Sequence, residues 1–581
     1  MSSTLKQKKS GLLIASSIAI LFLIFNFILI SNGHFHEDAY ILFIYVENFV
    51  NGNGITYYSD GPHIEGATDF LWLMLLIFLV KLGLNVGTSV ILLNSVGVFI
   101  ISYLLNIEIS NTKIKNKKLL LLLYPFVFLW IFQQPLVAAV GGFSVFLYMA
   151  LILLAFVSVY KEKYVLYTPY IGLIIALFRP DGVIIGIGFT LVGLYIAYKK
   201  QKTKQYIAGI IFGLVVGISY FVWRYNYFEN LLPLPLHVKS HGSLTAGLVD
   251  NYAWIKTNSY LLVPLFLLAF FNKKIKYYLF LASPVILLFI ALITVTQSQN
   301  IGFRFQAPVL IIAYYILILL IIEYMEKYVF SKFFKFIFAV YVFGFMALGL
   351  KHLYDTRSIV HFSYINQAPL NINKILPNRS TIALTEAGRM AYWNQLGGHK
   401  IIDLVGLNSE FPAKNTISIR YLEGISPEVL MYHHARKINM TWLNNYDVKV
   451  VLLDDKDKKF LINKKTYSDI ERNALSKVDN ASIVATQYLQ KYFNEYDIFI
   501  VDYFENKSYY HVYAFKKTLL LSGKIHTVLK ESFQRGGASV YYNWGASLSY
   551  NDFQRGMASS YYDMFDTSSY YEMLDKLEAR N

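Results

Sequence analysis

The chain has 581 residues, of which 55% are apolar, 17% aromatic and only 15% charged, and its mean hydropathy is +0.42. Soluble domains carry about 25% charged residues, so this composition excludes an ordinary soluble protein and predicts a polytopic membrane protein. The sequence contains no cysteine, which excludes disulfides, cysteine-ligated zinc and a thiol nucleophile. We attribute the net charge of +16 to lysines in cytoplasmic loops rather than to a nucleic-acid partner.

Apolar runs that approach the length of a membrane span, about 20 residues, are frequent up to His352. Beyond His352 charges and asparagines become common, and no run is long enough to span. We therefore predict a transmembrane domain at 1–352 and a soluble domain at 353–581. The eleven predicted spans are 11–31, 87–107, 119–135, 139–160, 164–178, 182–198, 205–223, 259–272, 277–296, 307–325 and 333–352.

Lysine placement predicts the orientation of these spans. The first lysines, Lys6, Lys8 and Lys9, keep the N-terminus in the cytoplasm, because cytoplasmic loops are enriched in basic residues. The lysine clusters within 113–118, 161–163, 199–204, 273–276 and 327–335 fall on the same side only if a twelfth apolar run, 68–84, does not cross. We predict that 68–84 lies at the outer membrane surface or re-enters it, so that the loop 32–86 and the soluble domain are external.

Arginines and carboxylates collect on the opposite, outer face. The region before residue 353 has three arginines, Arg179, Arg224 and Arg304, and each falls at the outer end of a predicted span. Nine of its thirteen acidic residues also lie in outer loops. A guanidinium makes forked contacts with phosphate oxygens, and carboxylates abstract protons from hydroxyls. This asymmetry predicts an outward-facing site for a phosphate-linked, hydroxyl-rich substrate.

The first outer loop carries the most specific pattern. Residues 36–72 read HEDAYILFIYVENFVNGNGITYYSDGPHIEGATDFLW and open on the adjacent carboxylates Glu37 and Asp38. This stretch resembles the first external loop of the GT-C glycosyltransferases, which use polyprenyl-phosphate sugars. It is most similar to the branch around the mycobacterial terminal arabinofuranosyltransferases and their relatives in Gram-negative bacteria.

Weaker matches follow in the family's order. They are residues 179–182 (RPDG), Arg224 through 232–233 (LP) to Lys239, 304–308 (RFQAP), and 387–388 (AG) with Asp403 and 406–407 (GL). The resemblance covers residues 10–410. It implies the GT-C fold, a polytopic α-helical membrane protein of about eleven transmembrane helices with a C-terminal soluble α/β domain. It also implies the bacterial cytoplasmic membrane, with the active site and soluble domain on the outer side.

The implied activity is transfer of a single sugar, arabinofuranose in the nearest branch, to a hydroxyl of an envelope glycan or surface protein. The implied partners are the lipid-linked donor, that acceptor and the bilayer. No cofactor is predicted, and a divalent cation is left open because the pair Glu37 and Asp38 could also bind one.

Roles for single residues follow from the resemblance. Asp38 is predicted to be the general base that deprotonates the acceptor hydroxyl, with Glu37 as the alternative. The predicted donor-phosphate ligands are Arg304, Arg224, Lys239 and Arg179. The predicted sugar or acceptor contacts are Tyr40, Glu65, Asp69, Trp72, Asp181 and Asp403. No metal ligand is predicted, because no His/Asp spacing in the sequence indicates one.

Several of these residues have an alternative that needs no substrate. Glu37 and Asp38 would then only mark the water interface after a span. Arg179 would pair with Asp181, the other arginines would reach lipid headgroups, and Trp72 would belong to the aromatic belt.

The sequence also departs from the family pattern. Glu37 replaces the first aspartate, Ile44 replaces an arginine, Leu234 replaces an asparagine, and residues 142–145 (GFSV) lack a carboxylate. These losses bear on which sugar the chain uses.

The region after residue 353 has the pattern of an α/β domain. Strands are predicted at 380–384, 400–403, 448–453 and 498–501, with helices between them. Near the end, FQRGGASVYY at 533–542 is echoed by FQRGMASSYY at 553–562. The tyrosines of this repeat would either line a glycan groove or simply complete the domain.

Two other function classes stay open at this point. An oligosaccharide ligase or polymerase would share an outward-facing site. A transporter is disfavoured, because its charges would lie near the middle of the membrane.

Overall fold

The computed structural model describes residues 3–30, 35–114, 131–239, 244–295, 300–327, 363–395, 397–435, 449–451, 477–501 and 509–534, with isolated positions at 128, 297, 340, 343, 344 and 347. Most of the predicted span 119–135, nearly all of the predicted span 333–352 and nearly all of the repeat at 533–562 lie outside the described residues.

The part up to residue 327 is built from helices, since backbone polar groups in a bilayer must be paired within their own segment. The helices are α1 Ser3–Ile30, α2 Glu37–Val50, α3 Phe70–Lys81, α4 Val86–Ser110, α5 Gln133–Val140, α6 Val145–Tyr160, α7 Thr168–Phe178, α8 Gly182–Lys199, α9 Thr203–Phe228, α10 Leu234–Lys239, α11 Leu244–Thr257, α12 Ser259–Phe270, α13 Ile275–Ala291 and α14 Ala307–Lys327.

Among the described residues, five helices are long and apolar enough to cross a membrane: α4, α8, α9, α13 with its 3-10 extension to Thr294, and α14. The pair α11 and α12, bent by 79°, would be a sixth. The predicted span 139–160 is represented by α6, whose 16 residues reach only about 24 Å at 1.5 Å per residue. The membrane-spanning character of the chain is therefore supported, while the count of eleven spans stays a prediction.

The apolar run 68–84 forms the 12-residue helix α3. At about 18 Å this helix is shorter than the roughly 30 Å hydrocarbon core. Trp72, Leu73 and Leu76 are buried, and α3 packs against α2. Length alone does not separate α3 from α7 and α12, which lie in predicted spans and are not longer than α3. That 68–84 does not cross the membrane therefore stays a prediction.

A six-stranded mixed sheet forms the centre of the C-terminal region, in the order β2-β1-β3-β6-β5-β4. Strands β1, β2, β4 and β5 confirm the four predicted ones, whereas β3 and β6 were missed. The strands are β1 Thr381–Leu384, β2 Lys400–Asp403, β3 Val429–Ala435, β4 Lys449–Val451, β5 Tyr496–Val501 and β6 Tyr509–Lys516. The helices are α15 Ser363–Ile375, α16 Arg389–Gln395, α17 Glu410–Lys414, α18 Ile419–Ile425, α19 Lys477–Lys491 and α20 Ser522–Gln534.

One continuous hydrophobic core joins the two regions. Phe43 of α2, Met390 of α16 and Met431 of β3 belong to the same cluster of buried side chains. The opposite face of the sheet packs against α19 through a second cluster that includes Tyr432 and Val484. This arrangement brings the loop after β1 against the start of α2.

Candidate active-site cavity

A cavity of about 670 Å³ opens where the predicted outer ends of several helices meet. Its polar lining combines residues of the first outer loop with arginines from two later loops. Its apolar lining comes from α2, from Trp72 of α3, from Phe143 and Phe305, and from the segments after α9 and α13. Of the predicted site residues, those that line the cavity are Asp38, Asp69, Trp72, Arg179, Asp181 and Arg304.

Asp38 lies in the first turn of α2. His36 caps this helix, because its Nδ1 accepts a hydrogen bond from the backbone N–H of Asp38 at 3.2 Å. The positive end of a helix dipole stabilises a carboxylate in this position. The Asp38 side chain faces Arg304, with 4.0 Å between Oδ2 and the nearest guanidinium nitrogen.

Besides its contact with Asp38, Arg304 is held by aromatic rings. Its guanidinium carbon lies 3.7 Å from the centre of the Phe143 ring and 5.3 Å from that of Phe305. Within the described residues its buried Nε has no hydrogen-bond partner. Burial lowers the pKa of Arg304 to about 10, and the group stays protonated at neutral pH. A buried cationic donor with unused hydrogen-bonding capacity suits an anionic ligand.

The second arginine of the cavity is already paired. Arg179 makes a forked contact with Asp181, in which Nε and Nη2 each donate to one carboxylate oxygen at 3.1 Å. Its guanidinium carbon also lies 4.7 Å from the centre of the Tyr148 ring. This is the ion pair that the substrate-free alternative proposed. The structure therefore places Arg179 in the cavity wall with a protein partner for its guanidinium.

Asp69 supplies a further carboxylate to the cavity. It accepts a hydrogen bond from the Ser144 hydroxyl at 3.1 Å. Burial raises the pKa of Asp69 above its ordinary value, and the nearby Arg179 opposes that shift. The segment 142–145 has no carboxylate where the GT-C pattern has one. Its Ser144 instead contacts the carboxylate of Asp69 from the first loop.

Glu37, the alternative base, serves another purpose. Its two carboxylate oxygens accept the backbone N–H groups of Gly388 at 2.7 Å and Arg389 at 2.9 Å, so Glu37 caps α16. Burial, together with the negative charge of Glu386, raises the pKa of Glu37 above its ordinary value. Glu37 is not among the residues that line the cavity, which leaves Asp38 as the carboxylate of the pair that faces it.

Arg224 and Glu65 form a buried ion pair away from the cavity lining. Arg224 also donates to the backbone carbonyl of Leu231 at 2.9 Å. Arg224 was predicted to bind the donor phosphate and Glu65 to contact a sugar. In the structure their charges neutralise each other instead. Lys239 ends α10, and its side chain lies outside the described residues.

Tyr40 and Asp403 also have structural surroundings. Tyr40 is 3% exposed and packs against Tyr392 of α16, with 5.2 Å between ring centres. Asp403 is fully buried and accepts backbone N–H bonds from Val405, Gly406 and Asn408, so it organises the turn after β2. Neither residue lines the cavity.

Trp72 lies at the cavity wall but is only 1% exposed, and its ring packs 6.0 Å from that of Phe178. It is therefore a buried wall residue, as distinct from a belt residue facing headgroups.

Sequence reasoning missed several cavity residues. Phe143 and Phe305 hold Arg304, and Ser144 contacts Asp69. All three lie in segments that the sequence analysis compared with the family pattern, 142–145 and 304–308, but none was given a role there. Among the described residues, the one group with metal-ligand proximity lies outside the cavity, at Glu386, His433 and His511.

Comparison with known proteins adds one match. A family model described as a domain of unknown function, DUF8728, matches residues 363–515. This range covers the described part of the sheet and falls within the predicted soluble domain. No curated protein matches the chain.

Proposed function

We propose that this chain is a membrane glycosyltransferase that moves a single sugar from a polyprenyl-phosphate donor to a hydroxyl of a cell-envelope glycan or surface protein. In this proposal the reaction takes place on the outer face of a bacterial cytoplasmic membrane. Arabinofuranose is the sugar that the resemblance of the first loop favours.

The observation that carries the proposal is the pairing of Asp38 with Arg304 in the lining of one cavity. A carboxylate and a guanidinium 4.0 Å apart are close enough to act on one substrate. The carboxylate would accept the proton of the acceptor hydroxyl as it attacks the anomeric carbon. The guanidinium would stabilise the negative charge that grows on the departing phosphate.

The apolar side of the cavity suits the polyprenyl chain. Leu232, Leu236 and Val295 line it and are 47%, 43% and 42% exposed. Leu232 and Leu236 follow α9, and Val295 follows α13. The lysines that are predicted to be cytoplasmic lie at the opposite, N-terminal ends of these two helices. An apolar border beside a polar pocket would let a lipid tail stay in the bilayer while its phosphate reaches Arg304.

Asp38→Asn is the most direct test of this mechanism. The variant keeps the shape of the side chain but cannot take up a proton, so transfer should fall by about 10²- to 10⁴-fold. The gene is deleted, the surface glycan or protein that loses one sugar is identified by mass spectrometry, and the variant is returned to the deletion strain.

Asp60→Asn is the matched control, because Asp60 is an exposed residue of the same loop and does not line the cavity. It should restore the sugar, whereas Asp38→Asn should not, with equal amounts of both variants in the membrane. Full restoration by Asp38→Asn would overturn the proposed base. If the deletion strain loses many repeat units of a glycan, the chain is a polymerase or ligase and does not transfer single sugars. If its glycans are unchanged and transport is defective, the chain is a transporter.

A further inference from the structure

A group of potential metal ligands lies in the C-terminal domain, between the sheet and the start of α2. Glu386 is in the loop that follows β1, His433 is on β3 and His511 is on β6. One ligand atom from each residue lies within 4.8 Å of the others. All three side chains are partly buried.

The sheet register places the two histidines together. His433 and His511 are directly opposite each other in the antiparallel pairing of β3 with β6. Side chains of such a pair project from the same face of a sheet, and the two imidazole centres are 4.4 Å apart. The proximity of the two histidines therefore follows from the pairing of their strands.

Glu386 completes the group from the loop above the strands. Its Oε1 lies 3.1 Å from Nε2 of His433, and Thr385 Oγ1 lies 3.3 Å from Nδ1 on the other side of the ring. A ligating histidine commonly uses one nitrogen for the metal and the other for an oxygen acceptor, which fixes its tautomer and orientation. Thr385 is in position to provide that acceptor.

The distances suit a small transition metal. Ligands bound at about 2.0–2.1 Å in a tetrahedral zinc site are about 3.3 Å from each other. The pair Glu386 and His433 is already close to this spacing at 3.1 Å. The ligand atom of His511 lies within 4.8 Å of the other two and would move closer when the ion binds. A cavity of about 10 Å³ adjoins the three side chains, close to the volume needed for one water molecule.

We propose that Glu386, His433 and His511 bind one divalent transition-metal ion, with Zn²⁺ as the best fit to a site of two imidazoles and one carboxylate. Calcium and magnesium prefer all-oxygen sites and fit less well. The ion would join the loop after β1 to two neighbouring strands. That loop leads to Gly388, whose N–H binds Glu37 at the start of α2. The inference does not depend on the proposed transferase activity.

The test uses the full chain, purified in detergent, depleted of metal and then dialysed against Zn²⁺ alone. Because the chain has no cysteine, no thiolate competes for the ion. We expect one zinc per chain by elemental mass spectrometry and a rise in Tm when zinc is restored. Co²⁺ in place of Zn²⁺ should give the visible absorption of a tetrahedral site with nitrogen and oxygen ligands.

Loss of a residue that only hydrogen-bonds a metal ligand weakens metal binding by ~10- to 100-fold. Glu386→Gln and His511→Gln remove a ligand itself, so each should weaken zinc binding by more than that. His526→Gln is the control, since His526 lies on α20 of the same domain and outside the group. It should bind zinc like the unaltered chain. Unchanged affinity in both ligand variants would overturn the proposal. If the ligand variants do not fold, failure of the unaltered chain to bind either Zn²⁺ or Co²⁺ would also overturn it.

Discussion

Two residues of the first loop, adjacent in sequence, have separate tasks. Glu37 uses both oxygens on the N–H groups at the start of α16, whereas Asp38 faces the cavity and Arg304. The sequence predicted a reactive carboxylate in this pair and favoured Asp38. The surroundings differ because the C-terminal domain contacts Glu37 through Gly388 and Arg389, and no local sequence pattern encodes this contact.

Arg304→Lys should not be a conservative change. A lysine keeps the charge but loses the planar fork and the stacking on Phe143 that hold the guanidinium at the cavity wall. One charge-assisted hydrogen bond is worth about 1.5–3 kcal/mol, so transfer from the lipid-linked donor should fall by about ten- to a hundredfold. The measurement is the transfer rate of membrane preparations that contain equal amounts of protein.

Arg420→Lys is the control for that change, because Arg420 is exposed on α18 and does not line the cavity. It should keep the native rate. If Arg304→Lys and Arg304→Ala both transfer at the native rate, Arg304 is an interfacial anchor and does not bind the donor phosphate.

Glu65→Ala separates the predicted sugar contact from a structural role. It would leave Arg224 buried without its counter-charge, and breaking a buried ion pair costs about 3–5 kcal/mol. We expect a clear fall in Tm in detergent, whereas Glu410→Ala, which breaks an exposed pair with Lys414, should leave Tm nearly unchanged. A native Tm combined with lost transfer would instead support the sugar contact.

At the scale of elements, the contact of α2 with α16 decides how the first loop is held. The backbone of Gly388 approaches that of Glu37 so closely that an added Cβ would lie 1.9 Å from the Glu37 carbonyl oxygen. The hydroxyl of Tyr57 reinforces the contact by donating to the carbonyl of Ala387 at 2.5 Å. The sequence indicated a glycine here only through its resemblance to a family motif.

Gly388→Ala should therefore push α16 away from the start of α2. Overpacking of this kind costs about 1–3 kcal/mol, and we expect a lower Tm together with faster proteolysis between the two regions. Gly424→Ala is the control, because a Cβ at Gly424 meets nothing within 4 Å. Equal behaviour of the two variants would show that the close contact contributes nothing to docking.

At the scale of the whole molecule, helix ends and sheet edge meet on one side of the predicted membrane domain. Leu232 follows α9, Val295 follows α13 and Arg304 precedes α14, and all three line the cavity. These helix ends are opposite the ends that carry the lysine-rich loops. The C-terminal domain contacts the same side through a continuous core. In the predicted topology this side is the outer one only if 68–84 does not cross the membrane.

Cysteine labelling tests that orientation in a chain that has no cysteine of its own. Asn51→Cys, exposed after α2, should react with an impermeant thiol reagent in intact cells whose outer barrier admits it. Lys204→Cys, exposed at the start of α9, should react only after the cells are lysed. The reverse pattern would overturn the topology and the proposed mechanism with it.

By itself the sequence determined the membrane character, because this depends on composition. From charge bias and local spacing it also predicts that the region from 353 is soluble and that the loop carrying Asp38 is external. Four of the six strands were also predicted, since their apolar runs are bounded by polar residues. The tertiary structure alone decided which charges face the cavity and which neutralise each other, and it placed His433 beside His511. The physical reason is that ion pairing and burial depend on contacts between residues that lie up to hundreds of positions apart.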